Sequence, residues 1–348
     1  MTIEIDGSYG EGGGSVVRLA VALSAVSQKP CKIVNIRAGR ANPGLQAQHV
    51  AAVDAVADLC MAEVKGLELG SKEIEFLPSP SKIKMGNLEI DVGTAGSVAL
   101  VLQALMIPAA HAESPVTAKI KGGTHTLKAP TTGYLDHVLF PLLAKMGYEA
   151  KLTLYKYGFY PRGQGLVEVK MNPAALRPLE LLEREQKPSQ IALHSVASKG
   201  LKLKRVAERM LAGADNAGLF RGTSLGINTV YVDCEGEGAA IDIYGKFENT
   251  IIGASAVGEM KKKAEKVGAE AGKAFMNSFN SGAPIDMHAA DQLLPYMALA
   301  AADGKGASRI KVEQVTRHAR TNMWLIKQFL GVDFKVKGKI IEVKKAKK

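Results

Sequence analysis

Cysteine is scarce in this sequence, aromatic residues are few, and no apolar stretch is long. The three cysteines, Cys31, Cys60 and Cys234, are odd in number and far apart. That argues against a disulfide framework or a paired metal knuckle, and leaves them as expected buried thiols. No apolar run approaches the roughly 20 residues that a membrane-spanning helix needs, and the first residues lack the basic-then-apolar order of a signal peptide. A cytoplasmic protein with no membrane partner is expected. Acidic residues are in deficit: 45 Lys and Arg against 34 Asp and Glu give a formal charge of +11. A basic balance of that size favours an anionic partner such as a nucleic acid or a nucleotide.

What is present is enough apolar material for a sizeable core, since 47% of the 348 residues are hydrophobic. Two or three domains are expected from that length. The chain also repeats itself. A strand-like opening, a turn and an apolar helix occur at residues 2–27, ending "GEGGGSVVRLAVALSAVS", and again at residues 88–110, ending "GTAGSVALVLQALMIPAA". The period from Ser15 to Ser97 is about 82 residues. Each copy continues into a strand-like stretch and a second helix, "LQAQHVAAVDAVADLCMAEVKG" and "TTGYLDHVLFPLLAKMGYEAKL". A third copy begins at "HAADQLLPYMALAAADG", roughly one period late. The fold class predicted is α/β, of the α+β kind: three repeated ββαβα-like units in a large domain (residues 1–181 and 282–348), with a smaller α+β domain (residues 182–281) inserted before the third unit. A cleft is expected where the two meet.

The stretch "DGSYGEGGGSVVR" (residues 6–18) sets a Gly-rich turn between a strand and a helix, an arrangement that can cradle phosphate on free backbone amides. It is not a Walker A loop, because no Gly-Lys-Ser/Thr follows the glycines. A dinucleotide fingerprint also fits poorly: the next strand ends at Arg37, where a ribose-binding acid would stand, and the repeat "GTAGS" has lost the glycine pattern. Glycines that merely permit a tight turn would leave Glu11 and Arg18 without a role. Further on, "RAGRANPGLQAQH" (37–49) offers Arg37 and Arg40 as forked donors suited to phosphate oxygens, with Gln48 and His49 entering a helix. Two more Gly-rich loops follow, "GGTHTLKAP" (122–130) and "GFYPRGQG" (158–165). Finally, "TRHARTN" (316–322) sets His318 between a strand and a helix expected to be capped by Thr321 or Asn322. A helix N-terminus disfavours imidazolium, so a neutral and nucleophilic His318 is expected.

Together, "DGSYGEGGGSVVR", "IRAGRANPGLQAQH", "GTAGSVALVLQ", "GGTHTLKAP", "GFYPRGQG", "HAADQLLPYMALA" and "TRHARTNMWLIKQFL" resemble the RNA 3'-terminal phosphate cyclase family along nearly the whole chain. The resemblance implies an ATP-dependent ligase of RNA processing that works through a covalent histidine-AMP intermediate, and His318 matches the nucleophile. It also implies nucleotide and metal contacts at Glu11 and Gln103, with Mg²⁺ or Mn²⁺ beside Glu11. Basic contacts to the triphosphate and to the RNA end map onto Arg18, Arg37 and Arg40, with Gln48 beside them. The adenosine pocket maps onto Pro130, Asp291 and Gln292, and His288 stands where some members carry an aromatic residue. The implied partner is RNA with a 3'-phosphate end. Only 5% of residues are aromatic, so recognition of that end rather than of a base sequence is expected. Two other readings stay open: a noncatalytic relative in ribosomal RNA processing, and an enolpyruvyl-type transferase on a similar repeated fold.

Overall fold

The computed structural model describes residues 2–80, 83, 86–215 and 223–347. Residues 216–222 of the expected insertion, and the last lysine of the basic tail, lie outside the described residues.

The first unit runs β1 (Ile3–Asp6), α1 (Gly14–Ser27), β2 (Cys31–Val34), α2 (Ala47–Cys60), β3 (Glu63–Lys65) and β4 (Ile74–Leu77). Its sheet has the order β1-β2-β4-β3, in which β1 and β2 are parallel and the other pairs antiparallel. Register places Ile5 beside Ile33 and Cys31 beside Phe76, and these apolar positions are buried on one face. The second unit repeats the scheme with β5 (Gly86–Asp91), α3 (Val98–Ala109) and β6 (Val116–Gly122). Its second helix is composite: α4 (Thr132–Tyr134) passes through a π-turn (Leu135–Leu139) into α5 (Phe140–Lys145). Strands β7 (Ala150–Lys156) and β8 (Gly165–Met171) complete the order β5-β6-β8-β7.

The third unit opens with β9 (Glu180–Leu181), and its first helix does not follow at once. The chain first builds a separate sheet from β10 (Gln190–Ser198), β11 (Leu225–Val232), β12 (Ala239–Lys246) and β13 (Ile251–Val257), in the order β11-β10-β12-β13. Helices α6 (Val206–Ala214) and α7 (Ala264–Asn280) cover it. They approach so closely that a β-carbon on Gly268 would lie 1.8 Å from the Met210 carbonyl oxygen. Ile191, Leu193, Met210, Ile241, Val267 and Phe275 form an apolar cluster of their own beneath them. Then α8 (Met287–Ala302), β14 (Ser308–Lys311), α9 (Arg317–Phe329), β15 (Val332–Lys337) and β16 (Ile340–Lys345) complete the third sheet, β15-β16-β14-β9.

The α/β class with repeated units is thus observed, with one difference in order. Each unit runs βαβαββ, so the adjacent strand pair closes the unit instead of opening it. Moreover, the extra sheet enters after the third unit's first strand. A two-residue strand is too short to show any periodicity in sequence, which is why β9 escapes such a reading. The first helices α1, α3 and α8 are buried along most of their length, as expected for helices apolar all round. They share one large core with the three unit sheets. Cys31 and Cys60 are buried as expected, whereas Cys234 is only half-buried, because its loop leaves the edge of the extra sheet.

Candidate active site

The Gly-rich turn after β1 lies along α9, and three consecutive residues meet three residues of one helical ridge. Asp6 starts the turn by accepting the Ser8 backbone N–H (2.9 Å) and hydroxyl (2.7 Å). Gly10 and Gly12 then take φ values of +66° and +53°, which a side chain would resist. The Glu11 carboxylate reaches Nε2 of His318 at 2.7 Å. Gly10 faces Thr321, and the Tyr9 ring stacks on Trp324 with centroids 3.8 Å apart. Positions 318, 321 and 324 succeed each other at i, i+3 and i+6, so the turn follows the helix surface.

Thr316 caps α9 by accepting the Ala319 N–H at 3.0 Å, which places His318 inside the first helical turn. The sequence-based choice of Thr321 or Asn322 as the cap is therefore wrong. Thr321 Oγ1 donates to the Arg317 carbonyl, and Asn322 Nδ2 donates to the Asp291 carbonyl, tying α9 to α8. Burial lowers the His318 pKa most, Glu11 raises it, and Arg18, Arg40 and His288 lower it further. The net direction is downward, towards the neutral ring.

Behind this pair lies Arg18 on α1. It is buried, its pKa is pushed down to about 10 by desolvation, and Asp291 acts in the opposite sense. Among the described residues its Nε finds no hydrogen-bond partner. A buried cation with an idle donor is costly unless an anion meets it. Asp291 itself is pushed up to about 7, by burial first and then by Asp286 and Glu11, with Arg18 opposing. On the same helix, Gln292 Oε1 accepts from Gln103 Nε2 at 2.9 Å, which joins α3 to α8. Gln103 is the one polar residue of α3.

Helix N-termini gather here. Gly14 at the start of α1 abuts His49 in the first turn of α2, so closely that a β-carbon would lie 1.9 Å from His49 Nε2. His49 Nδ1 accepts the Gln46 N–H, and burial presses its pKa to about 3. Gln48, one residue earlier, uses its carbonyl to accept the Ser97 N–H (2.9 Å) at the start of α3. Its visible task is thus to hold two helix starts together. Arg37 is likewise engaged within its own loop, donating to the Gly44 carbonyl at 2.7 Å. Arg40 is exposed and reaches the Glu11 carbonyl with Nη2 at 3.3 Å. The structure therefore brings Glu11, Arg18, Arg40, Asp291 and His318 together, with Gln103 and Gln292 adjacent. It sets Arg37 and Gln48 in supporting contacts.

Pro130 is half-buried immediately before Thr131, whose hydroxyl donates to Asp242 on β12 at 2.5 Å. His288 is exposed near the start of α8, edge-on to Tyr134. Sequence reasoning missed Asp286, which caps α8 by accepting the His288 and Ala289 N–H groups. It also accepts from the Tyr134 hydroxyl (2.6 Å) and the Gly253 N–H (3.1 Å). One buried carboxylate thereby joins α8, α4 and β13. An Asp before an apolar helix is a readable cap signal, but its distant partners are not local.

Comparison with known proteins decides the family. The family model described as RNA 3'-terminal phosphate cyclase matches residues 9–336. The chain belongs to this family. An RNA 3'-terminal phosphate cyclase of Methanothermobacter thermautotrophicus is 40% identical over 344 residues, covering 97% of this chain and 96% of the relative. One of Methanosarcina barkeri is 40% identical over 339 residues, covering 97% of both. One of Nitrosospira multiformis is 41% identical over 336 residues, covering 96% of this chain and 93% of the relative. Membership in the cyclase family spans the Gly-rich turn, the Gln103–Gln292 pair and α9 alike, so all parts of the cluster lie within the matched region.

Proposed function

We propose that this chain uses ATP to convert an RNA 3'-terminal phosphate into a 2',3'-cyclic phosphate, by way of AMP carried on His318. The observation that carries the reading is the His318–Glu11 pair at the start of α9, beside a buried Arg18 whose Nε is idle. A ring nitrogen poised to lose its proton, set against donors for phosphate oxygens, suits nucleophilic attack on phosphorus.

In the first step the Nε2 proton passes by way of the Glu11 carboxylate to solvent, and the Nε2 lone pair attacks the α-phosphorus of ATP. The N–P bond forms as the bond to pyrophosphate breaks, and pyrophosphate leaves with the electron pair. Next, an oxygen of the RNA 3'-phosphate attacks the same phosphorus; the P–N bond breaks and His318 regains its lone pair. Finally the neighbouring 2'-hydroxyl attacks the activated RNA phosphorus, loses its proton, and expels AMP. That closure needs little beyond positioning, because nucleophile and electrophile share one ribose.

In this reading Arg18 and Arg40 hold phosphate oxygens, Arg37 shapes the loop that presents Arg40, and Gln48 ties the starts of α2 and α3 together beside it. Pro130, His288, Asp291 and Gln292 border the adenosine, with Gln103 fixing Gln292. Among the described residues no group of three His, Cys, Asp or Glu side chains could hold a metal ion. A single carboxylate fits Mg²⁺ or Mn²⁺ carried mainly by phosphate oxygens and water, with Glu11 as the protein contact; such an ion would offset phosphate charge. We also infer that residues 182–281 act as an inserted domain and that the protein works in the cytoplasm; among the described residues no helix is long and apolar enough to cross a membrane. Incubation with α-labelled ATP tests the reading. Covalent AMP on His318 is expected, and a protein that cyclises no RNA end and takes no label overturns it.

A further inference from the structure

Tyr9 and Trp324 lie 3.8 Å apart between ring centroids, with planes inclined by 17°. Trp324 is the only tryptophan of the chain. It packs against the core, while Tyr9 is 44% exposed and forms the solvent side of the stack. Gly10 against Thr321 and Glu11 against His318 also hold the turn on α9, and the outer face of Tyr9 is left open to solvent. Arg317 and Arg320 are exposed on α9, seven and four positions before Trp324, so they share its face of the helix. Among the described residues neither enters an ion pair. His318 and Trp324 are separated by about 9 Å along the helix axis.

An open aromatic face flanked by cations is the combination that binds single-stranded nucleic acid, the rings taking bases and the cations taking phosphates. We infer that the Tyr9–Trp324 stack is the platform for a base at the 3' end of the RNA, with Arg317 and Arg320 holding the backbone that leads to it. The inference rests on the proposed cyclase reading and adds where the RNA strand lies once its phosphate has reached His318. A single platform also agrees with recognition of an end rather than of a sequence, because every base has a π-face.

The test compares wild type, Tyr9→Ala and Tyr9→Phe, using short RNAs that end in a 3'-phosphate, with and without a base on the terminal and penultimate sugars. Tyr9→Ala should raise KM for the RNA roughly 5- to 150-fold, the range of one lost base stack, and Tyr9→Phe should restore it. KM for ATP in self-labelling should not move. Trp324 fluorescence should be quenched by the complete RNA and not by the RNA lacking the stacked base. An unchanged RNA KM in Tyr9→Ala overturns the platform, and a raised ATP KM overturns it too, by assigning the stack to the nucleotide. If wild type takes no label at all, the cyclase reading fails, while the fluorescence titration still decides whether an RNA base sits on Tyr9.

Discussion

Gly10 and Thr321 are in such close contact that a β-carbon on Gly10 would lie 2.1 Å from the Thr321 hydroxyl oxygen. This contact lets the turn descend onto α9 and deliver Glu11 to His318. Gly10→Ala meets both the clash and the cost of a side chain at φ +66°, roughly 1–2 kcal/mol for the backbone alone. The expected result is a turn lifted from the helix, with self-labelling by ATP slowed far more than global stability falls. Labelling rates and denaturant midpoints, measured on the same preparation, separate the two effects.

The sequence disclosed the repeated units because their first helices are apolar all round, and the late return of the third betrayed the inserted segment. It also singled out His318, Glu11 and Arg18, which the structure brings together, since residue types suited to phosphate chemistry sit beside glycines and a helix start. The order of strands within each unit was not legible, because it depends on which strands pair across the sheet, and two-residue β9 leaves no periodic trace. Nor was the engagement of Gln48 with Ser97 or of Arg37 with Gly44 visible, since each bond is formed only when the loops pack. The cap of α9 illustrates the local limit: Thr316, Thr321 and Asn322 are all capping residue types, and only the backbone at Thr316, extended before the helix begins, selects among them.

Glu11 raises the His318 pKa while burial and three neighbouring groups lower it. Glu11→Gln removes the charge that favours imidazolium, so the ring should become neutral at lower pH. The acid limb of the self-labelling rate should therefore shift to lower pH, and its plateau should fall because no carboxylate receives the Nε2 proton. A single-turnover pH profile checks both. An acid limb that moves upward contradicts the pairing.

Arg40 and Arg37 should differ, although sequence reading treats them alike. Arg40 is exposed and turned towards the Glu11 backbone, whereas Arg37 closes its own loop through Gly44. Arg40→Ala should lower the rate of AMP attachment roughly 10- to 100-fold, the range for a lost charge-assisted hydrogen bond. Arg37→Ala should mainly loosen residues 37–44, read as faster amide exchange there. Equal kinetic losses would return Arg37 to direct phosphate contact.

His49 supplies a stability test independent of catalysis. Its pKa is pressed to about 3 in the folded protein, against about 6.5 in an unfolded chain. Between those values the unfolded state binds the extra proton, so this group's contribution to stability is fully present above about pH 6.5 and is lost as pH falls. Asp242, raised to about 6, has the opposite slope between about pH 3.8 and 6, so the total curve can be flat. The difference between wild type and His49→Gln isolates the histidine. On lowering the pH below 6.5, wild type should lose stability relative to the variant by up to about 1.4 kcal/mol per unit, as read from urea midpoints at several pH values.

The proposed sequence of steps makes its most specific prediction where activation and ring closure part. An oligonucleotide ending in a 3'-phosphate on a 2'-deoxy sugar offers the acceptor oxygen but lacks the internal nucleophile. It should take AMP from His318 and stop, accumulating a species with AMP joined to the 3'-phosphate. An all-RNA 3'-phosphate end should pass on to the cyclic product, because the vicinal hydroxyl is held within reach at no further cost in positioning. A 3'-hydroxyl end should not react, having no phosphate to receive AMP. Mass analysis of the three products distinguishes these outcomes. If the protein labels itself with AMP yet yields neither the stalled adenylate nor the cyclic phosphate, the histidine chemistry stands and the acceptor assigned to it does not. If the 2'-deoxy end is never adenylylated while the RNA end is cyclised, the 2'-hydroxyl must be recognised before activation, and the platform on Tyr9 and Trp324 would then be required to place the terminal ribose as well as its base.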